Sequence, residues 1–202
     1  MSAFILEPIV QGASGMRMCR PEFLKSAIKL AKAYDILIIY DEVMTGFGRT
    51  GTLFAAEQLT IEPDFICLSK GITGGFLPLS LTVTSKNIYD KFYSDDWNHT
   101  FTHGHSYTAN PIACTAANAS YELLIASETK QSIKAINKCH LNNLYKLYAD
   151  FPQIISKPRI CGTIAAFDVN NKHANIKTLR NDLFAQGLLV RPLGNTFYLL
   201  PP

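Results

Sequence analysis

Ile36-Leu37-Ile38-Ile39-Tyr40-Asp41-Glu42 is the stretch that decides the fold. Five apolar residues without alternation are the pattern of a strand covered on both faces in a parallel sheet, and two carboxylates end the run. A second run, Phe65–Leu68, reads the same way and ends at Ser69-Lys70. Upstream, residues 4–10 read as a strand, followed by a Gly12-Ala13-Ser14-Gly15 loop and by Pro21, a residue pre-set for the first turn of a helix. Leu24, Ala27, Ile28, Ala31 and Tyr34 then recur at three- and four-residue steps, which predicts a helix over 21–34. Strand, helix, strand, connector and strand in this order imply an α/β layer with right-handed crossovers. Ligand chemistry is then expected at the carboxyl ends of the strands, at Asp41-Glu42 and Ser69-Lys70.

Downstream, residues 79–84 read as a strand, 86–93 as a short helix and 94–109 as a polar loop rich in His, Thr and Asp. A loop of that length is usually functional or disordered. Asn110-Pro111 supplies an N-cap and the favoured first-turn proline for a helix to about residue 125. Ser127 opens a more polar helix with Ile133, Ile136, Leu144 and Leu147 on one face, and Lys130, Lys134 and Lys138 form its solvated stripe. The composition shift near 126 divides the chain into 1–126 and 127–202. The second part holds strand-like 160–169, a helix over 175–186 between Asn175 and Gly187, and strand-like 188–191 and 196–200, a small α+β unit.

The chain has 202 residues, and 19 Lys and Arg against 16 Asp and Glu leave a formal charge of +3. That is far from the basic stripe with which a nucleic-acid binder displaces counterions. With 48% hydrophobic and 17% charged residues, long disorder is excluded as well. Cys19, Cys67, Cys114, Cys139 and Cys161 are odd in number and contain no CxxC pair, so neither a disulfide framework nor a zinc ribbon is suggested. The first residues carry no basic region ahead of an apolar run, and no stretch approaches a membrane helix in length. A soluble cytoplasmic protein is expected.

Asp41 leaves a buried strand, where an unpaired charge is costly, so it needs a partner. Its position also suits an aspartate that caps the following turn. Lys70 stands before Gly71 and the Gly74-Gly75 pair, which leave room for a bulky group, and an amine in such a place can become nucleophilic toward a carbonyl. A snorkelling surface lysine is the alternative. Together on one sheet edge, an acid and a lysine are the two protein groups that pyridoxal phosphate requires, one for the pyridine nitrogen and one for the aldehyde. Gly46-Phe47-Gly48-Arg49-Thr50-Gly51 has a glycine rhythm but no lysine followed by Ser or Thr, so it is not a phosphate-binding P-loop.

Asp41-Glu42-Val43-Met44-Thr45-Gly46-Phe47-Gly48-Arg49-Thr50-Gly51 and Leu68-Ser69-Lys70-Gly71-Ile72-Thr73-Gly74-Gly75, with Glu7-Pro8-Ile9-Val10-Gln11-Gly12 upstream, resemble the class III, fold-type I pyridoxal-phosphate-dependent aminotransferases. The spacing from Asp41 to Lys70 is similar to the family's. His103-Gly104-His105-Ser106, Asn110-Pro111-Ile112-Ala113-Cys114 and Arg191-Pro192-Leu193-Gly194 look most like the biotin-pathway branch, which aminates 8-amino-7-oxononanoate with S-adenosylmethionine as donor. The resemblance covers the second half of a family subunit. It implies a partial large domain with a mainly parallel sheet and a partial small C-terminal domain.

By this resemblance Lys70 bonds to pyridoxal phosphate and shuttles a proton, and Asp41 pairs with the pyridinium nitrogen. A charge pair at about 4 Å is worth roughly 4 kcal/mol at an effective dielectric near 20. Val43, two residues on along an extended chain, packs on the ring. Ser106 takes the place of the family's threonine as a phosphate ligand across a dimer interface, beside His105, where the family commonly has proline. Gly104 approaches the substrate, and Arg191 clamps its carboxylate with a planar fork. His99, His103 and His105 with Asp95 and Asp96 match no familiar zinc spacing, so no metal is expected. The resemblance implies small-molecule substrates, a homodimer, and a possible complementary N-terminal chain. Two alternatives stand beside the transaminase: a catalytically incompetent remnant of a split gene, and a class III enzyme acting on an ω-amino acid.

Overall fold

The computed structural model describes residues 2–170, 172 and 174–201. Four strands form the first sheet: β1 (Ala3–Leu6), β4 (Leu37–Asp41), β5 (Phe65–Leu68) and β6 (Leu81–Thr84), side by side in that order. β1 runs parallel to β4 and β4 to β5, while β6 returns antiparallel to β5. The mainly parallel α/β sheet is therefore present. The crossover from β1 to β4 is α1 (Pro21–Lys32), with Pro21 in its first turn and Leu24, Ile28 and Ala31 buried.

The expected strand over 4–10 is shorter than its apolar content suggests. Pro8 has no N–H for a ladder, and Ile9 takes a left-handed φ of 67°. The chain turns there, and β2 (Val10–Gln11) pairs antiparallel with β3 (Arg17–Met18) as a separate hairpin. The short helix expected over 86–93 is only α2 (Lys86–Tyr89), which buries no residue and so has no packed face to extend it.

α3 (Pro111–Ile125) is capped by Asn110, whose side chain accepts from the Ile112 and Ala113 amides. Ala126, with ψ near 149°, separates it from α4 (Ser127–Asp150). The second sheet is an antiparallel meander of β7 (Ile155–Cys161), β8 (Ile164–Val169) and β9 (Thr196–Leu199). The expected 160–169 strand is thus a hairpin that reverses at Gly162, whose φ is +57°. Residues 188–191 form no strand, and the one β-bridge in that connector joins Leu193 to Thr196. α5 (Ile176–Ala185) is capped by Asn175, which accepts from the Thr178 amide. Ile28, Ile38, Tyr40 and Leu59 pack in one cluster with Ile164 and Ala166 of β8, so the two sheets share a core across the division at 126.

Candidate active site

β4 and β5 run parallel in a register that sets Asp41 opposite Cys67, and the Glu42 amide continues the pairing by donating to the Cys67 carbonyl at 3.0 Å. Lys70 follows three residues later, so strand spacing and chain rise hold the Asp41 and Lys70 Cα atoms within about 16 Å. Asp41 is half-buried, and its Oδ1 accepts from the Val43 amide at 3.1 Å. The turn-capping reading is therefore realised at one oxygen. No described hydrogen bond or ion pair claims the other, which stays available to a ligand. Burial raises the pKa of the Cys67 thiol, and the Asp41 charge adds to it, so the carboxylate's field reaches the strand edge.

Val43 lies in a turn rather than an extended chain. Its expected place beside Asp41 thus comes from the Asp41–Val43 hydrogen bond, not from strand periodicity.

Lys70 opens a 3-10 turn, Lys70–Thr73, which Gly74 ends in the left-handed conformation. Lys70 itself has a φ of +47°, a conformation that costs a side-chain-bearing residue about 1–3 kcal/mol and clusters at functional sites. Its side chain is exposed and makes no ion pair with any described residue. The Ser69 hydroxyl donates to the Leu79 carbonyl at 2.9 Å, and the Ser120 hydroxyl of α3 donates to the Gly71 carbonyl at 3.3 Å. Both hold the turn from outside it.

Sequence reasoning missed Glu42. Its side chain is fully buried, one residue past the half-buried Asp41. Oε2 accepts from the Thr45 hydroxyl at 2.7 Å and the Ala55 amide at 3.0 Å, and Oε1 accepts from the Ala56 amide at 2.7 Å. Burial pushes the carboxyl's pKa up, and these hydrogen bonds pull it back only in part. The available signal was adjacency: of two carboxylates in succession at the end of a covered strand, one faces away from the cleft.

The loop that Glu42 anchors packs against its own start and touches three other parts of the molecule. Gly46 is required because a Cβ there would lie 2.9 Å from the Glu42 carbonyl. Phe47 sits against Gly71, and a Cβ on Gly48 would meet Ile133 of α4 at 2.8 Å. Thr163 of the β7–β8 turn donates its amide to the Arg49 carbonyl at 3.0 Å. The glycine rhythm of 46–51 serves backbone packing.

The remaining expected residues make no described hydrogen bond or ion pair with Asp41 or Lys70. Gly104, His105 and Ser106 lie on an exposed loop, where the Tyr107 amide donates to His105 Nδ1 at 3.1 Å and the His105 amide to Thr108 Oγ1 at 3.0 Å. α3 leads from this loop to Ser120 beside Gly71, and nine residues of helix span about 14 Å. Arg191 is exposed in the connector before β9, and no described contact links it to Asp41 or Lys70. His99 meets Asp96 at 3.4 Å, and among the described residues no three His, Cys, Asp or Glu side chains gather to hold a metal. A cleft of about 920 Å³ lies elsewhere, between the β2–β3 hairpin and the second sheet. Arg159 on its wall binds Asp168 and the Gly15 and Met16 carbonyls, holding the hairpin to that sheet.

Residues 1–202 match the family described as aminotransferase class-III. The adenosylmethionine-8-amino-7-oxononanoate aminotransferase of Synechococcus elongatus is 52% identical, over 100% of this chain and 48% of its own length. That of Helicobacter pylori is 42% identical, over 99% and 47%. Among solved structures, an ornithine delta-aminotransferase of Plasmodium falciparum matches with a TM-score of 0.88 at 28% identity, over 100% of this chain and 51% of that one. An amine transaminase from an uncultivated Pseudomonas species, solved with PLP bound, matches at 0.88 and 30% identity, over 99% and 47%. The chain spans about half the length of the relatives it matches.

Proposed function

The chain belongs to the class-III aminotransferases, and from that premise we propose that it carries the lysine and aspartate of a pyridoxal-phosphate-dependent transaminase. The observation that carries the reading is the β4–β5 register, which brings to one sheet edge a lysine without an ion pair and a carboxylate with one unclaimed oxygen among the described residues. This donor set fits the cofactor: an anion suits the pyridine nitrogen and an amine suits the aldehyde. When bound, pyridoxal phosphate supplies an electron sink for charge that develops at the substrate carbon.

The chain's own groups do the rest. Asp41 would keep the pyridine nitrogen protonated through the oxygen that Val43 does not occupy, while its other oxygen holds the Val43 amide. Lys70 Nζ would hold the cofactor through its aldehyde and, once a substrate amine displaces it, would be free to carry the proton to and from the substrate carbon as general base and acid. Ser106 and His105 bind the phosphate from their exposed loop, a placement that supports contribution to the partner site of a homodimer. Gly104 borders the substrate, and Arg191 clamps its carboxylate in bidentate fashion.

The names of the two bacterial relatives support S-adenosylmethionine as amino donor and 8-amino-7-oxononanoate as acceptor, a step in biotin biosynthesis. Among the described residues no helix is long and apolar enough to cross a membrane, and the reading adds a cytoplasmic location.

A second reading is favoured by the half-length span: the chain is inert alone and needs a complementary chain. Phe23 and Leu30 on α1, with Tyr34 in the turn after it, are exposed apolar side chains.

One experiment separates the readings. Pyridoxal phosphate added to the chain produces a visible absorption band that Lys70→Ala abolishes. S-adenosylmethionine then bleaches the band, and 8-amino-7-oxononanoate restores it. A Lys70-dependent band that no amine bleaches supports the inert chain. Bleaching by short ω-amino acids, but not by S-adenosylmethionine, moves the substrate to the other branch. A chain without a Lys70-dependent band refutes the assignment of the site.

A further inference from the structure

Asp41 and Lys70 stand on different strands, and the loop after β4 touches both ends of the site. Asp41 is covalently next to Glu42, whose carboxylate gathers Thr45, Ala55 and Ala56 and so folds residues 43–56 back over the strand end. From that loop Phe47 reaches the Lys70 turn. A Cβ on Gly71 would lie 2.8 Å from Phe47 Cβ and 3.0 Å from its ring, so the Phe47 side chain sits as close to the Gly71 backbone as a glycine permits. Phe47 has a left-handed φ of 58°, and the strain at Phe47 and Lys70 persists only where packing over-determines it. Phe54 backs the Phe47 ring edge-on, with centroids 5.5 Å apart, and a Glu57 oxygen receives the Phe54 amide at 2.7 Å.

We propose that Glu42 is a positioning residue: by clamping the 43–56 loop it fixes the Asp41–Val43 turn at one end of the site and, through Phe47 seated on Gly71, the Lys70 turn at the other. Glu42 touches no reacting atom. A carboxylate is needed because all three contacts are donors to it, and an amide can offer only one oxygen to them. The inference rests on the reading of Asp41 and Lys70 given above.

The test uses the full 202-residue chain with pyridoxal phosphate as probe, comparing wild type, Glu42→Gln and Phe47→Leu. Far-UV circular dichroism checks the fold. The band is titrated with cofactor and with pH, and amide exchange is followed at 43–56 and 70–74. Folded Glu42→Gln is expected to bind the cofactor about tenfold more weakly, to shift the band's pH midpoint by about one unit, and to exchange faster in both segments. A residue that supported stability alone would leave the midpoint where it is. An unchanged midpoint and affinity in folded Glu42→Gln overturn the proposal. If the wild-type chain shows no Lys70-dependent band, the reading of the site fails, and exchange decides the positioning claim separately. Acceleration confined to 43–56 refutes it, and acceleration at 70–74 as well upholds it. Should Glu42→Gln not fold, Phe47→Leu replaces it: faster exchange at 70–74 supports the coupling, and unchanged exchange there refutes it.

Discussion

Gly71 has no Cβ because Phe47 occupies that space: the added atom would lie 2.8 Å from Phe47 Cβ. Gly71 does not adopt a positive φ, so a substitution there tests packing without backbone strain. Gly71→Ala is expected to cost about 1–3 kcal/mol, the usual range for overpacking, and a urea titration reads it. The nearest neighbour is a Cβ, which every residue but glycine has. Phe47→Ala removes the ring atoms at 3.0 and 3.1 Å but keeps that Cβ, so it should relieve Gly71→Ala only in part, and strictly additive losses in the double variant would refute the contact.

Asp41→Asn separates the two roles of that side chain. Asparagine still offers an oxygen to the Val43 amide, so the turn survives and stability should change by less than about 1 kcal/mol. The anion proposed for the pyridine nitrogen is lost. Transaminase turnover should fall by at least about a hundredfold, the scale expected for losing one pre-organised electrostatic partner. Thermal melting paired with single-turnover kinetics checks both. A destabilised variant with normal kinetics would leave Asp41 a turn cap only.

Asp168 links acid stability to the second sheet. Burial pushes its carboxyl up, but hydrogen bonds from Arg159 and Thr196, with the Arg159 charge and Lys157, outweigh it and hold the carboxyl below its ordinary value. A group with a depressed folded value contributes stability above its unfolded pKa and loses it as the pH falls through the folded one. The urea midpoint of the wild type should decline below about pH 4, and that of Asp168→Asn should decline less there. Arg159→Met, which leaves the carboxylate with Thr196 and the exposed Lys157, is expected to cost about 2 kcal/mol at neutral pH.

Asn110→Ala removes the acceptor for two amides at the start of α3 and should cost about 1 kcal/mol. Because α3 carries Ser120 to the Gly71 carbonyl, amide exchange should quicken at 70–74 as well as at 111–114. Quickening limited to the helix start would show that the cap is local.

Much of the sheet was legible because local chemistry encodes it. The apolar run before Asp41, the Pro21 start and the Asn110 and Asn175 caps each act within a few residues. The misread segments depended on partners far along the chain. Residues 188–191 have strand-like composition but find no strand to pair with. Residues 160–169 fold back because the turn at Gly162 docks against the backbone of Arg49, Thr50 and Gly51, where a Cβ would clash. At the site, Asp41 and Lys70 were readable from residue type and strand ends. The seating of Glu42 in the core was not, since its donors at Ala55 and Ala56 come after a long loop.

By itself, then, the order of residues determined the central parallel strands, the starts of the main helices and the reactive side chains that end those strands, because periodicity, turn chemistry and capping operate over a few bonds. Only the tertiary structure decided that Glu42 turns inward while Asp41 stays half-open, that Phe47 closes on Gly71, and that Arg159 ties the hairpin loop to the second sheet. Those contacts come from burial and hydrogen bonding between groups that chain folding alone brings together.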